Sequence, residues 1–162
     1  MTFSKSIYSL LLASLLLFNW GCKKNDTEPS LSAAEQLAVD ITIIEDYLIS
    51  KNLTASKTAS GLHYIVLEEG TENTKPSPTT KVEVQYKGYF TNGSVFDQTS
   101  GSATIRFNLN QVITGWQEGL LLMNKGQKNT LLIPSALGYG SNPPQGIPKN
   151  AVLIFDVKLV DF

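Results

Sequence analysis

Few side chains in this sequence can move protons, attack as nucleophiles or hold a metal. His63 is the only histidine and Cys22 the only cysteine. His63 lies between Leu62 and Tyr64 in a strand-like stretch, the setting of a half-exposed strand residue and not of a catalyst. Glu68 and Glu69 are adjacent, so on a strand their carboxylates point to opposite faces and form a solvated end. There is no Ser-His-Asp order, no glycine-rich phosphate loop after a strand and no zinc-ligand spacing. An enzyme with this inventory needs a reaction that asks for no metal, cofactor or acid–base pair. Rotation about a peptide bond is one such reaction. Its barrier of about 18–20 kcal/mol comes from amide resonance, and X-Pro bonds cross it unaided in roughly tens to hundreds of seconds. Taking water away from the imide and holding it twisted lowers that barrier, because the twisted form has less charge separation. An apolar, aromatic-walled pocket suffices.

One aromatic residue stands out by its neighbours. In QVITGWQEGLLLM, residues 111–123, Trp116 is flanked by Gly115 and Gly119. Ile113, Trp116, Leu120 and Met123 recur at helical spacing and predict one buried face, so plain core packing accounts for the indole by itself. The glycines are poor helix formers four residues apart. They predict a close approach to the helix on their side, by backbone or by ligand.

The elements around this helix read as strands. In KVEVQYKGYF, residues 81–90, Val82, Val84 and Tyr86 alternate with Lys81, Glu83, Gln85 and Lys87, which predicts a strand with one wet face. Asn92-Gly93 is a hairpin signal, so Val95 to Asp97 return beside it. Residues 61–70, 103–109, 127–134 and 151–160 complete a mostly antiparallel set. With short crossings and Gly126 closing the helix, the expected class is α+β, a five- to six-stranded antiparallel sheet curled around one short helix. Residues 134–150 hold three glycines and four prolines and predict a long structured loop before the last strand.

Ahead of this domain, Ser32-Ala33-Ala34-Glu35 matches a capping box. Leu37, Ile41, Ile44 and Leu48 follow as one apolar stripe, predicting an N-terminal helix over 32–52 that ends near Asn52. The stripe must pack on the domain that follows or on another copy of the same helix; about twenty residues are short for a coiled-coil stalk, so docking on the same chain, and a monomer, are favoured. Residues 1–21 carry one Lys and then an apolar run from about Ile7 to Phe18, the pattern of a secretory signal and shorter than the roughly 18 residues of a membrane span. Gly21 directly before Cys22 resembles the bacterial lipoprotein signal, in which cleavage leaves a Cys that becomes lipidated. Asn19 and Trp20 depart from its usual pattern, and ordinary secretory cleavage or an uncleaved anchor is the other reading. Residues 22–31 read as a flexible tether. The chain has 13 basic and 14 acidic residues with no long basic run, which argues against a nucleic-acid partner.

Three stretches, VEVQYKGYFTNGSVFD, FNLNQVITGWQEGLLLMNKGQK and IPSALGYG through IPKNAVLIFDVKLV, resemble the FKBP-type peptidyl-prolyl isomerases in that order. The resemblance covers residues 61–162. The front end is similar to that of FKBP-type lipoproteins of bacteria. The resemblance implies a hydrophobic pocket between helix and sheet with Trp116 as its floor and Tyr86, Phe96 and Phe155 as walls. It implies Val112 and Ile113 on the rim, with the Ile113 N–H offered to a substrate carbonyl, and the Tyr139 hydroxyl donated to another. Asp97 would hold polar groups at the edge, and Ile147 would close over the proline. Ile105 stands where many relatives carry an aromatic, and Ser102 where an Arg often pairs with the Asp. The long loop lacks the His of some relatives. The implied partners are proline-containing polypeptides and macrolide-type inhibitors, and the implied location is the bacterial cell envelope, lipid-anchored on the periplasmic side or the cell surface. A chaperone or peptide-binding module using the same pocket is the competing function, and a structural lipoprotein with a merely aromatic core is a third.

Overall fold

A computed structural model describes residues 31–162. The expected signal, Cys22 and the tether as far as residue 30 lie outside the described residues. The first element, α1 (Ala33–Lys51), begins at the capping box read from the sequence. The Ser32 hydroxyl and backbone N–H meet the Glu35 carboxylate at 2.7 and 2.8 Å, and the Glu35 N–H returns to the Ser32 hydroxyl. The helix ends at Asn52 in the left-handed conformation, φ 53°, a cap that Asn tolerates better than most residues.

Seven strands follow: β1 (Ser56–Lys57), β2 (His63–Glu68), β3 (Lys81–Tyr89), β4 (Val95–Gln98), β5 (Ile105–Asn108), β6 (Lys128–Ile133) and β7 (Leu153–Asp161). Six of them are the expected strands, and the two-residue β1 adds itself to the edge of β2. Helix α2 (Thr114–Leu122) stands between β5 and β6. The sheet order is β1-β2-β6-β7-β3-β4, and β5 pairs with the first half of β3 while β4 pairs with its second half. Every pairing is antiparallel. The β3–β4 hairpin turns at Gly93, φ 86°, with the Ser94 N–H capped by the Asn92 side chain.

Period-two alternation divides the core between the two faces of this sheet. Val82, Val84, Leu131, Ile133, Leu153, Val157 and Leu159 face α2 and bury with Trp116, Leu120 and Met123. Leu132 and Ile154 face the other way, against Ile44 and Leu48 of α1. The N-terminal helix therefore docks in cis, the choice its length favoured and its stripe left open. Each fully buried aliphatic there contributes on the order of 1.5–3 kcal/mol.

Two sequence expectations change here. His63 is buried at 4% exposure, not half-exposed, because α1 covers the sheet end that carries it, and its Nδ1 bonds the Gly61 carbonyl at 2.9 Å. The glycines of α2 also meet something other than a ligand. A Cβ at Gly115 would lie 2.5 Å from Ile133 Cγ2, and one at Gly119 2.6 Å from Leu131 Cδ1. They let the helix backbone lie directly on β6.

Candidate active site

With α2 pressed on the sheet, Trp116 in its first turn points across the inner face toward β3 and β7. Tyr86 is the next inward residue after Val82 and Val84 on β3, and Phe155 is inward on β7 beside it. Both rings stand edge-on to the indole with centroids 5.1 Å away and interplanar angles of 87° and 85°. Phe96 on β4 packs edge-on to Phe155 at 5.4 Å. That cluster needs an absent side chain: a Cβ at Gly88 would fall 2.7 Å from both Phe155 and Phe96. Edge-to-face pairs of this kind add about 0.5–1.5 kcal/mol each beyond burial, so the rings hold one another in place.

Over this floor opens a cavity of about 700 Å³. All ten pocket residues expected from the sequence line it: Tyr86, Phe96, Asp97, Ile105, Val112, Ile113, Trp116, Tyr139, Ile147 and Phe155. The indole is 5% exposed, whereas Tyr139, Val95 and Ile105 at the mouth are 38%, 44% and 46% exposed. The indole is thus shielded at the base, and the apolar side chains of Val95 and Ile105 stand exposed at the rim.

Polar groups are few. The Tyr86 hydroxyl donates to Asp97 Oδ2 at 2.5 Å, so the carboxylate is occupied by a neighbour across the hairpin. The single Arg of the chain, Arg106, serves Glu83 and Asp161 instead. Burial first, then the hydrogen bond to Asp97 and its charge, push the Tyr86 phenol well above its ordinary range. Burial and the Asp97 charge also raise Tyr139. Both phenols therefore stay protonated at neutral pH. The Ile113 N–H precedes α2 and has no acceptor among the described residues. Among the described residues Trp116 Nε1 is buried without an acceptor, so what the ring turns to the cavity is its apolar surface. The arrangement can desolvate an apolar ring and offer N–H and O–H donors at its edge. Among the described residues the phenol–carboxylate pair at the cavity is Tyr86–Asp97, and its phenol is held protonated.

Phe90, Val95, Phe107, Gln111 and the Pro144-Gln145-Gly146 stretch also line the cavity and were not anticipated. Phe107 was within reach of sequence reasoning. It lies two residues after Ile105 and so on the same face of β5, and it packs on Trp116 at 5.4 Å. Phe90 meets Phe96 at 4.8 Å across the predicted hairpin. Nothing local indicates where residues 144–146 of a long loop come to rest.

A curled antiparallel sheet around one helix, with an aromatic cleft between them, defines a known class. Residues 72–160 match the model of the FKBP-type peptidyl-prolyl cis-trans isomerases, and the chain belongs to that family. It is 45% identical over 107 residues to the FKBP-type peptidyl-prolyl cis-trans isomerase FkpA of Buchnera aphidicola subsp. Schizaphis graminum, covering 65% of this chain and 42% of that protein. To FkpA of Escherichia coli strain K12 it is 40% identical over 118 residues, covering 72% and 43%. The chain thus spans about half the length of these curated relatives. The crystal structure of FkpA from Escherichia coli superimposes with a TM-score of 0.68 at 37% identity, over 80% of this chain and 60% of that one. A peptidyl-prolyl cis-trans isomerase crystal structure from Pseudomonas syringae pv. tomato gives 0.67 at 28% identity, over 82% and 96%.

Proposed function

We propose that this protein accelerates cis–trans isomerisation of X-Pro bonds in polypeptides of the bacterial cell envelope. The observation that carries the proposal is the pocket floor, where an indole only 5% exposed is bracketed edge-on by Tyr86 and Phe155 beneath a cavity of about 700 Å³. A proline seated on Trp116 leaves its imide among Phe96, Val112 and Ile147, out of water. Water favours the planar, charge-separated imide over the twisted one, so its exclusion raises the planar forms relative to the transition state. The Ile113 N–H and the Tyr139 hydroxyl hold substrate carbonyls while the bond turns, and Asp97 keeps Tyr86 upright against the indole. Ile105 forms an aliphatic wall for the residue beside the proline. The same pocket is the seat for macrolide-type inhibitors. The test is a proline-containing tetrapeptide assay: Tyr86→Ala and Trp116→Ala should each lose the acceleration, and unchanged rates would refute these roles.

The exposed apolar rim at Val95 and Ile105 favours a second reading, a chaperone that grips unfolded chains at the mouth without turning prolines. Aggregation suppression that survives Phe96→Ala, with negligible isomerisation, would select it.

The lipid anchor at Cys22 rests on the sequence of residues 1–22. Among the described residues no helix is long and apolar enough to cross a membrane. Fatty-acid labelling should mark the parent protein and vanish in Cys22→Ala. Label retained in the variant would remove the anchor.

A further inference from the structure

Asp40 lies on α1, outside the stretch that matches the family model, yet it reaches the loop that walls the pocket. It is fully buried, and among the described residues it is the one buried carboxylate. Its Oδ2 accepts the Ser135 N–H at 2.7 Å and the Ser135 hydroxyl at 2.6 Å, and its Oδ1 accepts the Gln36 amide at 2.8 Å. Burying a carboxylate is expensive unless donors surround it, and here three short bonds do so. Apolar packing between α1 and the loop would be the cheaper design, so the carboxylate serves position.

Ser135 is the node of that loop. Its carbonyl accepts the N–H groups of Gly138 and Gly140 at 3.0 and 2.9 Å, the two residues that flank Tyr139. The Gly140 carbonyl in turn accepts the Asn150 N–H at 2.8 Å, closing the loop at its far end. Ser135 is thus tied by its donors to α1 and by its acceptor to both sides of Tyr139. Tyr139 itself is partly exposed, and its hydroxyl has no partner among the described residues. Its placement over the cavity therefore depends on the backbone beneath it.

We propose that Asp40 is a positioning residue for the pocket: by anchoring Ser135 from the N-terminal helix, it sets the turn that presents Tyr139 to a bound chain. The proposal rests on the reading of the cavity as a prolyl isomerase site, but its structural half can be measured without activity. Hydrogen exchange of the Gly138 and Gly140 amides in the purified full-length protein should accelerate about thirtyfold in Asp40→Ala, the effect of the two net hydrogen bonds to Ser135 lost, while amides of the β6–β7 pair keep their protection. Asp40→Asn keeps an oxygen for both Ser135 donors and should restore loop protection. With a proline tetrapeptide, Asp40→Ala should raise KM about fivefold with kcat little changed, the pattern of lost uniform binding. Added to Tyr139→Phe, it should raise KM little further. Should Asp40→Ala not fold, Ser135→Ala removes one of the two anchoring bonds and carries the same exchange and KM comparison against Asp40→Asn. Loop exchange unchanged in Asp40→Ala, or loss spread equally over β6 and β7 and not restored by Asn, would overturn the proposal. A parent protein with no isomerase activity would instead overturn the functional reading, with loop exchange still deciding whether Asp40 positions the turn.

Discussion

Gly115→Ala puts the close contact of α2 on the sheet to the test. The added methyl would lie 2.5, 3.0 and 3.1 Å from Ile133 Cγ2, Cδ1 and Cγ1, whereas carbon atoms rest at about 3.5–4.0 Å. Relief needs a shift of roughly 1 Å. Ile133 cannot supply it by rotation, since it is β-branched and fully buried on β6. The helix must lift, and Trp116 lifts with it. Ala is favoured over Gly in a helix by at most about 1 kcal/mol, and overpacking costs about 1–3 kcal/mol. The balance predicts a net loss of up to about 2 kcal/mol. A misplacement near 1 Å at the pocket floor predicts a fall in isomerisation of about tenfold to a hundredfold. Gly119→Ala should be milder, because it meets the terminal methyls of Leu131, at 2.6 and 2.9 Å, on a side chain that can bend away. Urea unfolding with a fixed m value reads the stability, and a proline-peptide assay reads the rate. Removing the obstruction with Ile133→Ala should make the double variant better than the sum of the two single changes by at least about 1 kcal/mol. A Gly115→Ala protein as stable and as fast as the parent would refute the packing argument.

Other predictions follow from the same geometry. Trp116→Phe should keep the rate within about tenfold, since the indole N–H has no acceptor to lose, while Trp116→Ala should cost about 3–5 kcal/mol of stability; equal effects in paired unfolding and rate measurements would contradict this. The catalytic rate should be flat from about pH 6 to 9, because both pocket phenols titrate above their ordinary range; a step in that window would implicate a group outside the proposed set. Burial holds the His63 imidazole below its ordinary 6.5, so as pH falls the unfolded chain takes up this proton first. Its contribution to stability is therefore complete above about pH 6.5 and drains away as pH drops through the folded value. His63→Gln should flatten urea midpoints between about pH 6.5 and 5, a window clear of Glu35, Glu83 and Asp161, whose lowered values act only at more acid pH.

Much of this fold is written locally. Val82, Val84 and Tyr86 announce their face by alternation, Ser32 and Glu35 announce a helix start, and Asn92-Gly93 announces the hairpin that brings Phe96 to Phe155. The residues around the cavity were legible because three motifs occur in family order, and Phe107 could have been added by counting two from Ile105. Contacts distant in sequence left no such trace. His63 is buried by a helix whose docking site no periodicity specifies. Gly115 and Gly119 signal a close approach without saying that Ile133 and Leu131 make it. Asp97 finds Tyr86 across a hairpin, and Asp40 meets Ser135 from 95 residues away; hydrogen-bond partners at that range depend on tertiary packing and not on spacing.

The most direct test of the central claim is the relaxation of a proline-containing tetrapeptide, shifted from its cis–trans equilibrium, on adding the purified protein. The structure predicts relaxation that quickens in proportion to protein concentration, well below the roughly tens to hundreds of seconds of the unaided bond, and that a Trp116→Ala protein which still folds does not reproduce. Relaxation at the unaided rate with the folded parent protein present would contradict it.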